Sequence, residues 1–389
     1  MTTPAPTAAP AAASEVKKGL EGVVVDTTKV SKVMPDINSL TYSGYKVQDL
    51  SDLCTFEEVA YLLWNSELPT AAQLKQFTDE ERSHRKISEQ LMKVIRLFPK
   101  TAHPMDTIRT GVSYLGMEDK GSNDPGHHVV AEDRQRAMQL LAKIPTIIAA
   151  DYRCRNGKEP IAPKTDLSMS ENFFHMCFGE VPHPEVVKAF DVSLILYAEH
   201  GFNASTFTAR VVASTLSDIY STVVAGIGSL KGPLHGGANE QVMHMLKEIG
   251  EPSKAKEWML AAIRDKKKLM GFGHRVYKNG DSRVPTMKKY GRKLGEHKGD
   301  KKWFEISDIL EQTMLEAKNI HPNLDFPAGP AYYLMGFDID MFTPIFVMSR
   351  ITGWTAHVLE QLSANRIIRP LSQYLGPKER TVVPLSKRG

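Results

Sequence analysis

The chain has 389 residues, 42% hydrophobic and 24% charged, with a net charge of +4. That length exceeds the usual single domain and favours two, and the composition excludes disorder for the bulk of the chain. Cys54, Cys154 and Cys177 are too scattered for a disulfide framework or a metal-binding Cys/His cluster, and no run of about eighteen apolar residues offers a membrane span, so a reducing, cytoplasmic setting fits best.

In chain order, residues 1–18 start as MTTPAPTAAPAAASE. They lack the basic start and apolar centre of a signal peptide and read as a flexible tail. Residues 22–48 are β-branched and turn-rich, which predicts a small strand or hairpin element. Thr55 with Glu58 three residues on forms a capping box ahead of Val59, Leu62 and Leu63, which share one helical face. Helical patterns then cover 82–98, 104–114, 131–152, 184–199, 204–230, 239–249, 254–268, 284–295, 303–318, 331–335 and 344–362, so the chain is all-α with short connections.

Three glycine- or proline-marked turns interrupt these helices, and each carries a chemically able side chain. KGPLHGGANE (231–240) holds His235, GFGHRVYKNGDSR (271–283) holds His274, and HPNLDFPAG (321–329) holds Asp325. Proline lacks an amide donor and glycine resists helical angles, so each residue is expected on a bend. One such turn alone simply joins helices; three together, with arginines nearby, supply an acid-base site. The block 264–302 carries fourteen Lys/Arg against four Asp/Glu, a local +10 that leaves −6 for the rest. No helix-turn-helix or aromatic-interleaved pattern points to nucleic acid. A small polyanion such as a phosphorylated cofactor suits the field better, although Lys288, Lys289, Arg292 and Lys293 read as a solvated helix face. This block and its helices suggest a smaller inserted domain at 236–330, between a large-domain segment at 19–235 and its return at 331–389. A cleft between the two is the default ligand site.

Other features carry less. GIGSLKG (226–232) has its third glycine one position late for a dinucleotide loop and ends a helix rather than following a strand. His127 and His128 sit in a polar connection and read as solvated. His103, His175, His183, His244, His297 and His357 show no partner pattern and read as structural.

An aspartate base, two hydrogen-bonding histidines and several arginines suit carbon-carbon bond formation between an enolised acyl group and a carboxylate-rich keto acid. The α-proton of a thioester is weakly acidic, so a carboxylate removes it only where donors stabilise the developing enolate oxygen. Arginine binds carboxylates through paired hydrogen bonds and keeps its charge; Arg283, Arg350 and Arg369 are the candidates. Arg350 stands out, because in FTPIFVMSRITGW an unpaired charge on an apolar helix is costly.

LYAEHGFNASTFTAR (196–210), KGPLHGGANE, GFGHRVYKNGDSR, PNLDF and the segment from Arg350 to Arg369 resemble, in order, the active-site motifs of citrate synthases. The resemblance spans about residues 19–377 and implies that family's two-domain helical fold. Within the family, FTPIFVMSRITGW, NRIIRP and AYYLMG are closest to the 2-methylcitrate synthase branch, in its actinobacterial form. The resemblance implies that Asp325 removes the α-proton of propionyl-CoA, His235 hydrogen-bonds the enol oxygen and His274 polarises the ketone of oxaloacetate. It places His200, Arg283 and Arg350 on the oxaloacetate carboxylates, and sends Arg369 into the neighbouring subunit's site of a homodimer. Lys268, Leu269, Met270, Gly271, Phe272 and Gly273 match the adenine-contacting turn, Lys278 meets coenzyme A phosphates, and Asn323 reaches the pantetheine arm. Methylcitryl-CoA is then hydrolysed to 2-methylcitrate and CoA. No metal or tightly bound cofactor is implied, because coenzyme A arrives as a substrate thioester. PAGPAYY (327–333) departs from the commonest citrate synthase pattern, and Tyr332 is a candidate for a roomier acyl pocket. One methylene gives only about 1–3 kcal/mol of discrimination, so acetyl-CoA is expected as a second substrate; citrate synthase proper is the alternative reading, and a non-catalytic coenzyme A-binding or scaffold protein is a remote one.

Overall fold

The computed structural model describes residues 16–121 and 130–388. Most of the expected N-terminal tail, and the His127 and His128 connection, lie outside them. Thr28–Ile367 form one compact unit, and the described residues before Thr28 and after Ile367 belong to a second.

The larger unit opens with a three-stranded antiparallel sheet, β1 (Ser31–Met34), β2 (Ser39–Tyr42) and β3 (Tyr45–Lys46), where Val33 pairs with Leu40 and Thr41 with Lys46. This is the expected hairpin element, although the valine-rich run before Thr28 is not part of it. Helices follow: α1 (Val47–Leu53), α2 (Phe56–Asn65), α3 (Ala71–His84), α4 (Glu89–Leu97), α5 (Pro104–Glu118), α6 (Val130–Arg155), α7 (Met169–Phe178) and α8 (Pro184–Tyr197). After these come α9 (Ala204–Ser214), α10 (Ile219–Leu230), α11 (Ala238–Ile249), α12 (Pro252–Arg264), α13 (Val284–Lys298), α14 (Lys302–Lys318), α15 (Asp325–Leu334) and α16 (Phe342–Ser363).

Local chemistry explains most boundaries. The Thr55–Glu58 capping box forms as the sequence predicts. Two expected helices are each divided. In 82–98 the Ser88 hydroxyl accepts the Leu91 amide and starts α4, while in 204–230 Leu216 takes a positive φ and Asp218 caps α10. A serine or aspartate that satisfies free amides makes a new start cheaper than continuing the old helix. The α7 helix has no counterpart in the sequence reading; its signal is the Ser168–Glu171 capping box.

The centre of the large unit is α16, buried along nearly its whole length and packed against α6, α8, α9 and α10. Its apolar residues surround the helix instead of forming one stripe, as a helix enclosed by others requires. Gly226 on α10 explains the decoy GIGSLKG motif. A Cβ there would come within 3.1 Å of the Trp354 ring, so glycine is what lets α10 lie against α16.

The smaller unit holds the short 3-10 turns Lys18–Leu20 and Leu385–Lys387 and exposes Val24, Leu371, Tyr374 and Leu375. Among the described residues no helix is long and apolar enough to cross a membrane.

Candidate active site

The C-terminal turn of α8 and the residues after it, 196–200, organise the site. The last carbonyls of a helix have no partner within it, and here side chains from distant segments satisfy them. Arg283 Nη1 donates to the Leu196 carbonyl at 3.4 Å, Arg350 Nε to the Tyr197 carbonyl at 2.7 Å, and the Tyr42 hydroxyl to the Ile195 and Glu199 carbonyls at 3.0 Å each. Cations at a helix C-terminus also complement its dipole. One helix end thereby gathers two of the expected carboxylate-binding arginines.

Asp325 joins the same end, because the Tyr197 hydroxyl donates to its Oδ1 at 2.7 Å. The sequence reading puts Asp325 on a turn, whereas it occupies the first turn of α15. Proline is tolerated in a helix's first turn, so Pro327 does not exclude the helix. Burial pushes the Asp325 carboxyl up to about 6, against the lowering effects of the Tyr197 hydrogen bond and the Arg283 and Arg350 charges. That value suits a base working near neutrality.

His235 lies on the expected bend between α10 and α11. The Gly236 amide donates to the Leu230 carbonyl at 2.9 Å, and a Cβ on Gly236 would sit 2.6 Å from that oxygen, so the turn requires glycine. The His235 Nε2 accepts the Ser205 amide at 3.3 Å and lies 2.8 Å from the Ser205 hydroxyl, which also accepts Trp354 Nε1 at 3.0 Å. The Ser205 amide, which can only donate, makes Nε2 the acceptor and places the ring proton on Nδ1; the Ser205 hydroxyl, 2.8 Å from both Nε2 and Asn203 Oδ1, donates to one of these two. Burial, aided by the Arg350 charge, lowers the pKa to about 3, so the imidazole is neutral.

His274 is fixed in the opposite tautomer. Its Nδ1 accepts the Val276 and Tyr277 amides at 3.0 and 3.1 Å, which leaves Nε2 as the donor. Burial and the Arg283 and Lys278 charges bring its pKa down to about 4 despite Asp281. The His200 ring packs 5.0 Å from that of His274, with its Nε2 buried and unpartnered. Burial first, then Arg283, His274 and Arg350, hold His200 well below the usual histidine range. The site therefore presents neutral imidazole donors among guanidinium charges.

Arg283 is gripped by Asp281 through two bonds, Nε to Oδ1 at 2.9 Å and Nη2 to Oδ2 at 2.7 Å. Asp281 also accepts the Leu324 amide at 3.1 Å, which ties the Arg283 segment to the residue before Asp325. Burial opposes its charge, but Arg283 outweighs burial and holds the carboxyl below its usual value. Arg350 is buried with its guanidinium 4.8 Å from the Phe346 ring, and it forms no ion pair among the described residues. Burial lowers it to about 10, with Glu199 opposing, so it stays charged at neutral pH.

The 268–273 loop is bound to the segment before Asp325. The Gly273 amide donates to the His321 carbonyl at 2.8 Å, the Asn323 amide to the Gly271 carbonyl at 2.9 Å, and Asn323 Nδ2 to the Gly273 carbonyl at 2.9 Å. Gly271 and Gly273 take φ of 83° and 79°, which favours glycine. Beside His274 a cavity of about 240 Å³ is lined by Gly273, Tyr277, Lys278, Asp281, His321 and Pro322, among others. Lys268 and Lys278 are exposed near this loop, while Leu269, Met270 and Phe272 are half-buried. Tyr332 is fully buried and stacks on Tyr197 with ring centroids 6.4 Å apart; its hydroxyl, near Ser193, forms no well-aligned hydrogen bond.

His274, Asp325, His200, Arg283, Arg350, Asn323 and Tyr332 are thus linked through a few shared partners, and His235 joins them through the Phe346 ring, whose centroid lies 6.2 Å from its own and 4.2 Å from that of Tyr197. Arg369 is exposed and lies in the smaller unit. The sequence reading missed Tyr197, Ser205, Asp281 and the buried pair Glu199–His357, whose Oε1 and Nε2 are 2.9 Å apart. It also missed Asn239, a fully buried amide without a well-formed partner. A signal existed for Asp281, two residues before Arg283 in GDSR, but its grip on Leu324 was visible only in three dimensions.

The family described as "Citrate synthase, C-terminal domain" matches residues 19–371. The chain belongs to the citrate synthase family. It is 57% identical to a 2-methylcitrate synthase of Mycobacterium tuberculosis, over 95% of this chain and 92% of that one. It is 54% identical to a citrate synthase of Mycolicibacterium smegmatis, over 97% and 100%. Among solved structures, a citrate synthase of Thermoplasma acidophilum in ternary complex with carboxymethyl coenzyme A and oxaloacetate superimposes with a TM-score of 0.90. The two are 34% identical, over 96% of this chain and 100% of that one.

Proposed function

We propose that this chain condenses propionyl-CoA with oxaloacetate and water to give 2-methylcitrate and CoA, accepting acetyl-CoA less well. One observation carries the chemistry: two neutral imidazoles are locked in tautomers that leave one N–H donor each, within one linked network with a carboxylate raised to about 6. A raised carboxylate removes an α-proton at neutral pH, and the imidazole donors stabilise oxygens on which charge develops.

In this reading Asp325 takes the α-proton of the thioester while His235 Nδ1–H hydrogen-bonds the enol oxygen. The enol carbon attacks the ketone of oxaloacetate, whose oxygen is held by His274 Nε2–H and receives a proton. Arg283, Arg350 and His200 hold the keto-acid carboxylates, and water hydrolyses the thioester. Because Asp281 already fixes the Arg283 fork, little ordering remains to be supplied when the carboxylate binds. The 268–273 loop, Lys278 and Asn323 hold coenzyme A, which comes and goes as substrate. Tyr332 shapes the acyl pocket through Tyr197. Residues 236–330 act as a smaller lobe that closes on bound oxaloacetate.

The 57% identical 2-methylcitrate synthase supports propionyl-CoA as the preferred donor. The apolar side chains exposed after Ile367 support a homodimer in which Arg369 completes the partner's site, and the setting is the cytoplasm. Comparing kcat/KM for propionyl-CoA and acetyl-CoA at saturating oxaloacetate tests the donor. The ratio is expected to favour propionyl-CoA; a preference for acetyl-CoA assigns citrate synthesis as the main activity.

A further inference from the structure

His183 and Glu185 start α8, and His297 ends α13, 112 residues later in the chain. The His297 Nδ1 lies 3.6 Å from a Glu185 carboxylate oxygen, and the His183 and His297 rings stack with centroids 4.5 Å apart. One ligand atom from each of the three residues falls within 4.8 Å of the others, all at the exposed surface. We propose that His183, Glu185 and His297 bind a divalent transition ion of the zinc, cobalt or nickel class, clamping α8 to α13.

Ligands held about 2.0–2.1 Å from a tetrahedral ion stand about 3.3 Å apart along its edges. The 3.6 Å Glu185–His297 separation is too long for a hydrogen bond and a few tenths of an ångström from that edge; the three ligand atoms lie within 4.8 Å of one another, and binding requires one of the stacked imidazoles to turn so that both in-plane lone pairs meet the ion. Two imidazoles and one carboxylate form the donor set of many open zinc sites, where water fills the remaining position. The negative end of the α13 dipole favours a cation. The positive end of α8 opposes it, and Glu185 in its first turn offsets that. Lys188, one turn along α8, is directed away to the Cys54 carbonyl at 3.3 Å. His183 Nδ1 accepts the Glu185 amide at 3.3 Å, which leaves the ring proton on Nε2, the nitrogen not tied to the backbone and hence the one available to the ion once that proton moves. Binding there moves the ring proton to Nδ1 and gives up that long capping bond. The helices pack against each other. At their opposite ends α8 carries Tyr197 and α13 follows Arg283, about 20 Å away at 1.5 Å per residue. A bound ion therefore resists sliding between the two helices that present the site, whatever reaction the site performs.

The test uses tag-free full-length protein stripped with a chelator and dialysed. Cobalt(II) is followed by visible absorption, zinc(II) by calorimetry and thermal unfolding. One equivalent per chain is expected, with a rise in Tm on adding zinc. His297→Gln and Glu185→Gln are each expected to weaken binding at least tenfold and abolish that rise; both metal-free variants stay folded, Glu185→Gln with a slightly lower Tm because α8 loses the charge in its first turn. His183 is left intact because it also caps α8. No saturable binding, or equal affinity in wild type and both variants (an adventitious ion only), would overturn the proposal.

Discussion

Replacing Tyr197 with phenylalanine removes one oxygen and, with it, the 2.7 Å hydrogen bond to Asp325. That bond favours the charged carboxylate, so its loss raises the Asp325 pKa above about 6. A hydrogen bond to a charged group contributes about 1.5–3 kcal/mol, and about 1.4 kcal/mol corresponds to one pH unit, so the rise is about one to two units. A base with a pKa of 6 is about nine-tenths ionised at pH 7. At 7 it is about half ionised, and at 8 about one-tenth. Tyr197→Phe should therefore cost about two- to tenfold in kcat/KM at pH 7 and recover near pH 9. The assay is thiol release from propionyl-CoA across pH 5 to 9.5, because kcat/KM reports the free enzyme's groups. An acid limb that stays in place or moves lower, with Tyr197→Phe folded and saturable by oxaloacetate, would refute the reasoning.

Asp281→Asn is expected to raise the KM for oxaloacetate at least tenfold in steady-state assays, because Arg283 loses its fixed orientation. Breaking a buried pair costs about 3–5 kcal/mol, which denaturant unfolding at pH 7 will measure. Since the folded-state pKa of Asp281 lies below 3.8, its stabilisation is present above about pH 4 and lost as pH falls through that lower value. The variant should therefore show a shallower acid-side loss of stability than wild type. Gly271→Ala forces a side chain into φ 83° and to 2.5 Å from Val242 Cγ2. The strain alone is about 1–2 kcal/mol, so the melting temperature should fall and binding of a coenzyme A analogue should weaken. Arg350→Met should abolish oxaloacetate binding in calorimetry; methionine fills the apolar site, but the Tyr197 carbonyl loses its donor and the buried Glu199 a favourable charge, so denaturant unfolding should also show a loss of about 1–3 kcal/mol.

Much of this was legible in the chain. Pro233, Gly236 and Gly237 announce the bend at His235, and Gly271 and Gly273 announce the loop before His274, because backbone angles are local properties. Arg350 stands out as a charge on an apolar helix, and its burial against Phe346 and the Tyr197 carbonyl bears that out. Partners drawn from distant segments were not legible. Tyr197 reads as one more core aromatic of α8 until Asp325 arrives beside it from 128 residues away. The His183–His297 pairing depends on α8 and α13 lying side by side, which no local pattern encodes. Helix breaks at Ser88 and Asp218 were available as capping residues, but the continuous apolar period across them argued the other way.

The most direct test compares wild type and Asp325→Asn in one experiment, following CoA release from propionyl-CoA with and without oxaloacetate and measuring oxaloacetate binding by calorimetry. Wild type is expected to release CoA only when oxaloacetate is present. The variant should bind oxaloacetate with near-native affinity and show no turnover. CoA release by wild type that ignores oxaloacetate, or near-native turnover by Asp325→Asn, would contradict the account.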